Sequence, residues 1–189
     1  MTEPPPKSDQ EIAAARVDGT PELLDAPITL VEYDPAWPSL YKREAKRIRR
    51  VLGDRVLLLE HVGSTSVPQL VAKPRIDIVL AVVASRDEDR YVPLLEAAGY
   101  QLRIREPDWF EHRLLTGPHT DVNLHVFSDG CPEIERMIRF RDHLRSNETD
   151  RLLYHRTKRE LAVRTWRYVQ HYADAKTSVV DEIMGRAGG

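Results

Sequence analysis

The chain has 189 residues, of which 41% are hydrophobic, and 28 Lys and Arg side chains stand against 30 Asp and Glu side chains for a net charge of −2. These values are typical of one globular domain and argue against a broad surface for DNA or RNA. No apolar run has the length of a membrane span, no secretory signal is visible, and the single Cys131 excludes an internal disulfide and a cysteine-built zinc site. We therefore expect a cytoplasmic protein with no membrane or DNA partner.

The N-terminal part of the chain divides at about residue 26. Residues 1–26 carry scattered charges and little apolar periodicity, so they predict a mostly disordered tail, in which Glu11–Val17 is the candidate for a short helix. Residues 27–189 predict a single domain, because no linker interrupts them. Within it, Ile28–Tyr33 predicts a first strand, and a helix starting at Asp34-Pro35 continues to about Leu52.

The rest of the chain predicts a mixed half followed by a helical half. The predicted strands are Arg55–His61, Ile76–Val83, Tyr100–Arg105, Glu111–Thr116 and Asp121–Phe127, with a helix at Asp87–Ala98 between the second and the third. The predicted C-terminal helices are Pro132–Ser146, Glu148–Tyr172 and Asp174–Arg186. This order indicates an α/β (α+β) fold, in which a small mixed β-sheet is flanked by helices and closed by a C-terminal helical cap.

A polar turn between two apolar strands is the most informative stretch. Gly63 and Ser64 follow the first of these strands, and Asp77 opens the second. Glycine lets the backbone approach a phosphate group, the hydroxyls of Ser64, Thr65 and Ser66 donate to it, and a carboxylate opposite can hold a divalent cation. An ordinary polar turn after a strand is the alternative interpretation.

The ordered series of motifs resembles the GrpB family over roughly residues 28–186. The matching residues are Tyr33-Asp34-Pro35-Ala36-Trp37, Glu60 to Pro68, Ala72-Lys73-Pro74, Ile76-Asp77, Glu111-His112-Arg113, Leu124-His125-Val126 and Phe140-Arg141-Asp142. The resemblance implies the nucleotidyltransferase fold, with phosphate held at Gly63 to Ser66. It also implies a possible link to a CoA-pathway enzyme, since such domains occur fused behind some dephospho-CoA kinases. Gln69 stands where the family commonly has glycine.

Nucleotidyl transfer normally uses two acids spaced Asp-x-Asp, because residues two apart on a strand point the same way. Val79 occupies the second position here, so the two-metal set is incomplete. A cation, Mg²⁺ or Mn²⁺ first and Zn²⁺ or Fe²⁺ second, is then expected at Asp77. Asp77 and His125 are the predicted catalytic pair, and His61 joins them in an alternative metal site made of two histidines and one carboxylate.

Basic side chains are predicted to neutralise the ligand around this turn. Lys73, Arg113 and Arg141 are the first candidates; Arg141 falls on the apolar stripe of its helix and therefore needs Asp77, Asp142 or a phosphate as partner. Lys158 lies four residues after Tyr154, and Tyr172 four after Tyr168, so with Lys176 these residues are predicted to close the cleft from the helical side. A solvated charged face is the alternative.

Three functions follow from these residues. The first is a nucleotidyltransferase-like protein that binds a nucleotide or a phosphorylated small molecule and transfers a nucleotidyl group. The second is a non-catalytic nucleotide- or anion-binding module. The third is a metal-dependent enzyme of another type that uses His61, Asp77 and His125.

Overall fold

The structure, a computed structural model, describes residues 7–21, 23–24 and 27–188. The helices are α1 (Asp9–Ala15), α2 (Trp37–Leu52), α3 (Val92–Ala97), α4 (Pro132–Ser146), α5 (Glu148–Ala162), α6 (Val169–Asp174) and α7 (Thr177–Ala187). The strands are β1 (Leu58–Val62), β2 (Ile76–Val82), β3 (Gln101–Glu106), β4 (His112–Thr116) and β5 (Val122–Ser128). Among the described residues, no helix is long and apolar enough to cross a membrane.

The strands form one mixed sheet in the order β1-β2-β5-β4-β3. β2 and β5 run parallel, and the other neighbours are antiparallel. β2 is the most buried strand, since six of its seven residues are buried. The predicted α+β class, with a mixed sheet, flanking helices and a C-terminal helical cap, is confirmed.

Three predicted elements differ from the structure. The helix predicted at Asp87–Ala98 is a short 3₁₀ turn at Glu88–Arg90 followed by α3. Ile28–Tyr33 is not a strand; only Val31 pairs, with Ala72, because Pro74 has no N–H with which to extend the ladder. The predicted helix Glu148–Tyr172 is two helices, α5 and α6. The indole Nε1 of Trp166 donates to the Leu161 carbonyl at 2.8 Å, and this bond satisfies an acceptor at the end of α5.

The two faces of the sheet have different coverings. One face packs on α2 and α3 and forms the main core, in which Ile78, Leu80, Leu124 and Val126 are fully buried. The opposite face is covered by α4 only at its far end, around Val79 and Phe127 of the neighbouring cluster. The beginning of β2 and β5 on this second face therefore borders a cavity instead of a core.

The cap and the N-terminal segment enclose this cavity. Helices α4, α5 and α7 share a separate apolar cluster, in which Leu70, Leu144 and Ile183 are buried. Within the region predicted as a tail, α1 forms close to the predicted short helix, and Arg16 after it pairs with Ile104 of β3. Residues 1–6 lie outside the described residues.

Candidate anion-binding cleft

The cavity has a volume of about 450 Å³ and a strongly basic lining. The acidic side chains that line it are Asp77, Glu106 and Glu133. The basic ones are Lys7, Arg16, Lys73, Arg75, Arg136, Lys158 and Lys176. The whole chain carries a net charge of −2, so positive charge is concentrated at this cavity. A basic cavity of this size suits an anionic small molecule.

Asp77 is the second residue of β2, and 28% of its side chain is exposed, on the side of the cavity. Asn123 is its register partner on β5 and donates from Nδ2 to Oδ1 at 2.9 Å. The Nε2 atom of His125 lies 3.8 Å from the same oxygen. Burial acts to raise the pKa of Asp77, but the contacts with His125 and Asn123 and the charge of Lys73 lower it below its ordinary value. Asp77 is therefore a carboxylate at neutral pH.

Gly63 is required by its closeness to Asp77. Its backbone has φ 68° and ψ −174°, a conformation essentially limited to glycine. A Cβ added there would lie 2.3 Å from Asp77 Oδ2. The glycine that the sequence assigns to phosphate binding is thus needed first to let the turn after β1 pass against the carboxylate.

The three hydroxyl side chains after Gly63 differ in whether they face the cavity or bond to nearby backbone carbonyls. Ser64 lines the cavity and contacts Tyr154. Thr65 also lines it, but its Oγ1 donates to the Arg75 carbonyl at 3.1 Å. Ser66 is buried away from the cavity lining and donates to the Gly63 carbonyl at 2.5 Å. Ser64 is therefore the hydroxyl best placed for a ligand.

Three lysines from distant parts of the chain, Lys73, Lys158 and Lys176, converge beside Asp77. Lys158 of α5 is only 3% exposed, and its Nζ donates to the Val71 carbonyl. Burial, with Lys176 and Lys73 nearby, holds the pKa of Lys158 well below its ordinary value. Burial and the charge of Lys73 likewise lower the pKa of Lys176 to about 7. Asp77 and, at Lys176, Asp174 offset these pKa shifts only in part, so a bound anion would favour the charged forms of Lys158 and Lys176.

Aromatic rings surround the lysines. Lys176 Nζ lies 3.9 Å from the ring centroid of Tyr172, and Lys158 Nζ lies 5.4 Å from that of Tyr154. Within the described residues, Tyr172 Oη and Arg16 Nε are the buried side-chain polar atoms without a hydrogen-bond partner, and both residues line the cavity. The helical side predicted from the sequence, Tyr154, Lys158, Tyr168, Tyr172 and Lys176, is brought together here.

A chain of polar side chains runs across the same face of the sheet to His125. Its Nδ1 lies 3.1 Å from Nε2 of His112, and Nδ1 of His112 lies 2.7 Å from Oε2 of Glu106. Lys7 pairs with the other oxygen of Glu106. Arg113 was predicted to line the cleft, whereas its neighbour His112, which was not among the predicted site residues, is the residue of β4 on this face. Leu114 pairs with His125 and therefore lies on the same face of the sheet. Because residues two apart on a strand share a face, His112 lies on this face as well, and Arg113 lies on the other.

Two predicted basic ligand residues, Arg113 and Arg141, lie outside the cavity lining. Arg113 faces the core side and donates from Nε to Glu88 at 2.5 Å, because it pairs with Val126 in the ladder. Arg141 donates to Asp142 and, across to β1, to Glu60 at 2.8 Å, so protein carboxylates already satisfy it. Asp142 was one of the three partners predicted for Arg141, and the structure shows this contact.

His61 lies on the face of the sheet opposite Asp77, because it pairs with Ile78, the residue after Asp77. Its ring stacks on Tyr41, and its Nε2 lies 3.0 Å from Thr65 Oγ1. The predicted set of His61, Asp77 and His125 is therefore not assembled. Among the described residues, no three His, Cys, Asp or Glu side chains are grouped as a metal site.

The donor set also does not fit a two-metal cage. Val79 is apolar, and the position beside Asp77 on β5 is Asn123, whose NH₂ group points at the carboxylate. An amide nitrogen that donates a hydrogen bond is not a ligand for Mg²⁺ or Mn²⁺, which require oxygen donors. Asp77 and His125 alone remain as the predicted ligands of a cation.

Two buried histidines predict that the fold is sensitive to acid. Burial lowers the pKa of His61 and of His112 to about 4. The unfolded chain binds protons at these side chains below about pH 6.5, while the folded chain does so only near pH 4. The free energy of unfolding should therefore fall between pH 6.5 and pH 4, by at most about 1.4 kcal/mol per pH unit for each histidine.

Urea unfolding of the wild type and of His61→Gln at pH 7, 6 and 5 measures this effect. Glutamine keeps a donor for Thr65 but cannot titrate, so the variant should lose less stability on acidification than the wild type. His119→Gln, at an exposed position, is the matched control. If the free energy of unfolding falls equally with pH in the wild type and in His61→Gln, the neutral state of buried His61 is contradicted.

The fold and the cleft define an α+β protein with a basic cavity on one face of a five-stranded sheet. The chain belongs to the GrpB protein family, whose model matches residues 27–186, so the predicted resemblance is confirmed. It is 63% identical over 182 residues to UPF0157 protein BH1888 of Halalkalibacterium halodurans, covering 96% of this chain and 93% of that protein. Its structure matches the crystal structure of conserved protein GrpB from Enterococcus faecalis with a TM-score of 0.74 and 30% identity, covering 84% of this chain and 96% of that one.

Two further matches are more distant and cover less than half of the matched protein. A dephospho-CoA kinase of Mycolicibacterium paratuberculosis is 28% identical over 183 residues, covering 83% of this chain and 45% of that protein. The structure of Cid1 in complex with its short product ApU is matched with a TM-score of 0.42 and 12% identity, covering 60% of this chain and 40% of that one.

Proposed function

We propose that this protein binds a nucleotide or another phosphorylated small molecule in the basic cavity. The phosphate groups lie among Lys73, Lys158 and Lys176, close to the Gly63-Ser64 turn. The convergence of these three lysines on one enclosed space is the observation that carries the proposal. Phosphate oxygens would accept hydrogen bonds from the lysine side chains. Their negative charge would favour the charged forms of Lys158 and Lys176, which burial disfavours.

The shape of the ligand is suggested by the rest of the lining. Phe140, Tyr154, Tyr168 and Tyr172 give the cavity an aromatic part beside its charged part. A ligand with a flat or apolar group attached to phosphate fits both parts, as a nucleotide does. Inorganic phosphate alone would use only the lysines and should bind more weakly.

Nucleotidyl transfer is the finer proposal, and Asp77 with His125 is its candidate catalytic pair. The position of Asp77 next to the lysines favours it, since a group that reacts at phosphorus would be held there. The absence of an acid at Val79 favours plain binding instead. Transfer of a labelled nucleotidyl group to an acceptor would distinguish nucleotidyl transfer from binding alone.

Thermal unfolding with a panel of phosphate compounds tests the binding. Inorganic phosphate, pyrophosphate, tripolyphosphate and the four common nucleoside triphosphates are added in EDTA, and again with Mg²⁺ or Mn²⁺. At least one nucleotide should raise the melting temperature in a concentration-dependent way. If no phosphate compound does so, the proposal is wrong. Incubation with α-phosphate-labelled nucleotides and a metabolite extract, beside an Asp77→Ala control, then tests transfer.

The affinity for the phosphate ligand should depend on pH through Lys176. Its pKa is about 7 without a ligand, and a bound anion raises it, so binding takes up a proton above pH 7. Affinity should therefore fall by up to about tenfold for each pH unit above 7. Lys176→Arg keeps the charge at all these pH values, so the ratio of wild-type to variant affinity should fall as pH rises from 7 to 9 in calorimetric titrations. A constant ratio would contradict the assignment.

The setting of the protein belongs to the same proposal. We place it in the cytoplasm, where a single free cysteine such as Cys131 stays reduced and nucleotides are abundant. The relative named dephospho-CoA kinase makes a CoA-pathway enzyme a partner to test. Co-purification with that kinase from the same organism is the measurement.

A further inference from the structure

We infer that Arg16 binds a second negatively charged group of the ligand, so that the cavity takes an elongated molecule with an anionic group at each end. The inference deepens the proposed function and rests on it, because the first anionic group is the phosphate held by the lysine cluster of Lys73, Lys158 and Lys176. The ligand class is then a nucleotide or other phosphate compound that carries a second phosphate or a carboxylate.

A strap formed by residues 7–17 carries Arg16 to the cavity. Arg16 forms an antiparallel bridge with Ile104 on β3, the edge strand of the sheet, and the N–H of Val17 donates to the Arg103 carbonyl at 3.0 Å. Directly paired residues point to the same face, and Arg16 and Ile104 both line the cavity. The strap residues in the lining are Lys7, Ile12, Ala15 and Arg16. The pairing with the sheet edge therefore fixes the place of Arg16 in the lining.

The guanidinium group of Arg16 has only a weak partner in the protein. Its Nε is buried and has no hydrogen-bond partner among the residues that the structure describes. Asp18 Oδ1 lies 3.6 Å from this atom, beyond hydrogen-bond distance, and half of the Asp18 side chain is exposed. Arg103 Nη1 lies 3.9 Å from the other oxygen of Asp18, so one carboxylate faces two guanidinium groups. Because an exposed ion pair contributes little, Arg16 can take an anionic group of a ligand at small cost.

The other charged side chains of the lining, apart from Asp77 and the lysine cluster, form pairs of opposite charge. These pairs are Arg136 with Glu133, Lys7 with Glu106, and Arg75 with Asp121. The acids of the lining are Asp77, Glu106 and Glu133, and Asp77 lies beside the lysine cluster. Within the described lining, no carboxylate is therefore left for Arg16.

Arg16 and the lysine cluster lie on opposite sides of the cavity. The sheet order places β5 and β4 between β2, which carries Asp77, and β3, which pairs with Arg16. Three strand spacings of about 4.8 Å separate β2 from β3, which is roughly 14 Å. The lining also includes the apolar side chains of Ile12 and Leu114. A single phosphate group cannot contact both sides, whereas a molecule with a flat or apolar middle and two anionic ends can.

Calorimetric titration with matched pairs of compounds tests the second anionic group. The two members of each pair differ by one such group: nucleoside 5′-monophosphates and 3′,5′-bisphosphates, NAD⁺ and NADP⁺, UDP-glucose and UDP-glucuronate. At least one doubly anionic member should bind to the wild type about tenfold or more tightly than its partner, because it adds a charge-assisted hydrogen bond to Arg16.

Two arginine variants separate a contact with the ligand from a general effect of net charge. Arg16→Met should reduce the preference for the doubly anionic member to within about twofold and leave the binding of its partner unchanged. Arg103→Met is the matched control, because Arg103 faces the same carboxylate of Asp18 but is not part of the cavity lining. This variant should keep the preference of the wild type.

The possible outcomes distinguish this inference from the proposed function. If phosphate compounds bind but no pair shows a preference that Arg16→Met abolishes, the second anionic group is overturned and the binding function stands. An equal loss of preference in Arg16→Met and Arg103→Met would overturn it as well. The comparison within each pair on the wild type needs no variant, so a wild type without any preference decides against the inference even if Arg16→Met does not fold. If no phosphate compound binds, the proposed function fails and the inference fails with it.

Discussion

Gly63→Ala should destabilise the protein by about 3 kcal/mol and displace Asp77. The new methyl group meets two obstacles, a backbone conformation with φ 68° and the carboxylate oxygen 2.3 Å from the Cβ position. The first costs roughly 1–3 kcal/mol and the second, as overpacking, roughly 1–3 kcal/mol. Chemical denaturation measures the loss of stability. The side-chain amide resonances of Asn123 report the movement, because this amide is bonded to Asp77.

Gly53→Ala is the matched control for the backbone. Gly53 has φ 55° and ψ −130°, and nothing lies within 4 Å of an added Cβ. Its substitution should cost only the conformational part, roughly 1–3 kcal/mol, and leave the Asn123 resonances in place. If Gly63→Ala costs no more than Gly53→Ala, the close approach of the turn to Asp77 is wrong.

Lys158→Met should weaken the binding of a nucleoside triphosphate by about 10- to 100-fold. The substitution removes one ammonium group from the lysine cluster and keeps an unbranched apolar stem. A charge-assisted hydrogen bond to phosphate contributes about 1.5–3 kcal/mol, which corresponds to this range of affinity. Stability should change little, because the lost hydrogen bond to Val71 is offset by the removal of a buried ammonium group.

Lys46→Met makes the same change of charge at an exposed position of α2, on the far side of the sheet. Calorimetric titrations of both variants and the wild type separate a local contact from a general effect of net charge. Lys46→Met should bind within about twofold of the wild type. Equal losses in the two variants would show that Lys158 does not contact the ligand.

Much of the fold follows from periodicity in the sequence. Helix α4 has the predicted bounds, Pro132–Ser146, and the alternation of the strand Asp121–Phe127 places Asn123 and His125 on one face, as the ladder does. The strand predicted at Ile28–Tyr33 failed because pairing depends on the partner. The partner of Val31 among the described residues, Ala72, lies just before Lys73-Pro74, and this long-range pairing is not visible in the apolar run itself.

The site was less predictable, because which face a residue occupies depends on register. Gly63, Ser64 and Asp77 could be predicted from short local motifs. The four-residue spacing of Tyr154 and Lys158 placed both on one face of a helix, and both line the cavity. Arg113 and His112 exchange roles if β4 shifts by one residue, and the sequence offers no cue to its register. Arg16 reaches the cavity from a region predicted to be a tail, since its contact with β3 joins distant parts of the chain.

Resonances of the lysine ε-methylene groups, followed during titration with a nucleoside triphosphate, test the anion site most directly. We predict that in the free protein the signal of Lys176 titrates near pH 7, and that the signals of Lys73, Lys158 and Lys176 all move on binding. In the complex Lys176 should stay charged above pH 7. A nucleotide that binds without moving these three signals, or three signals unchanged at saturating nucleotide, would contradict the account.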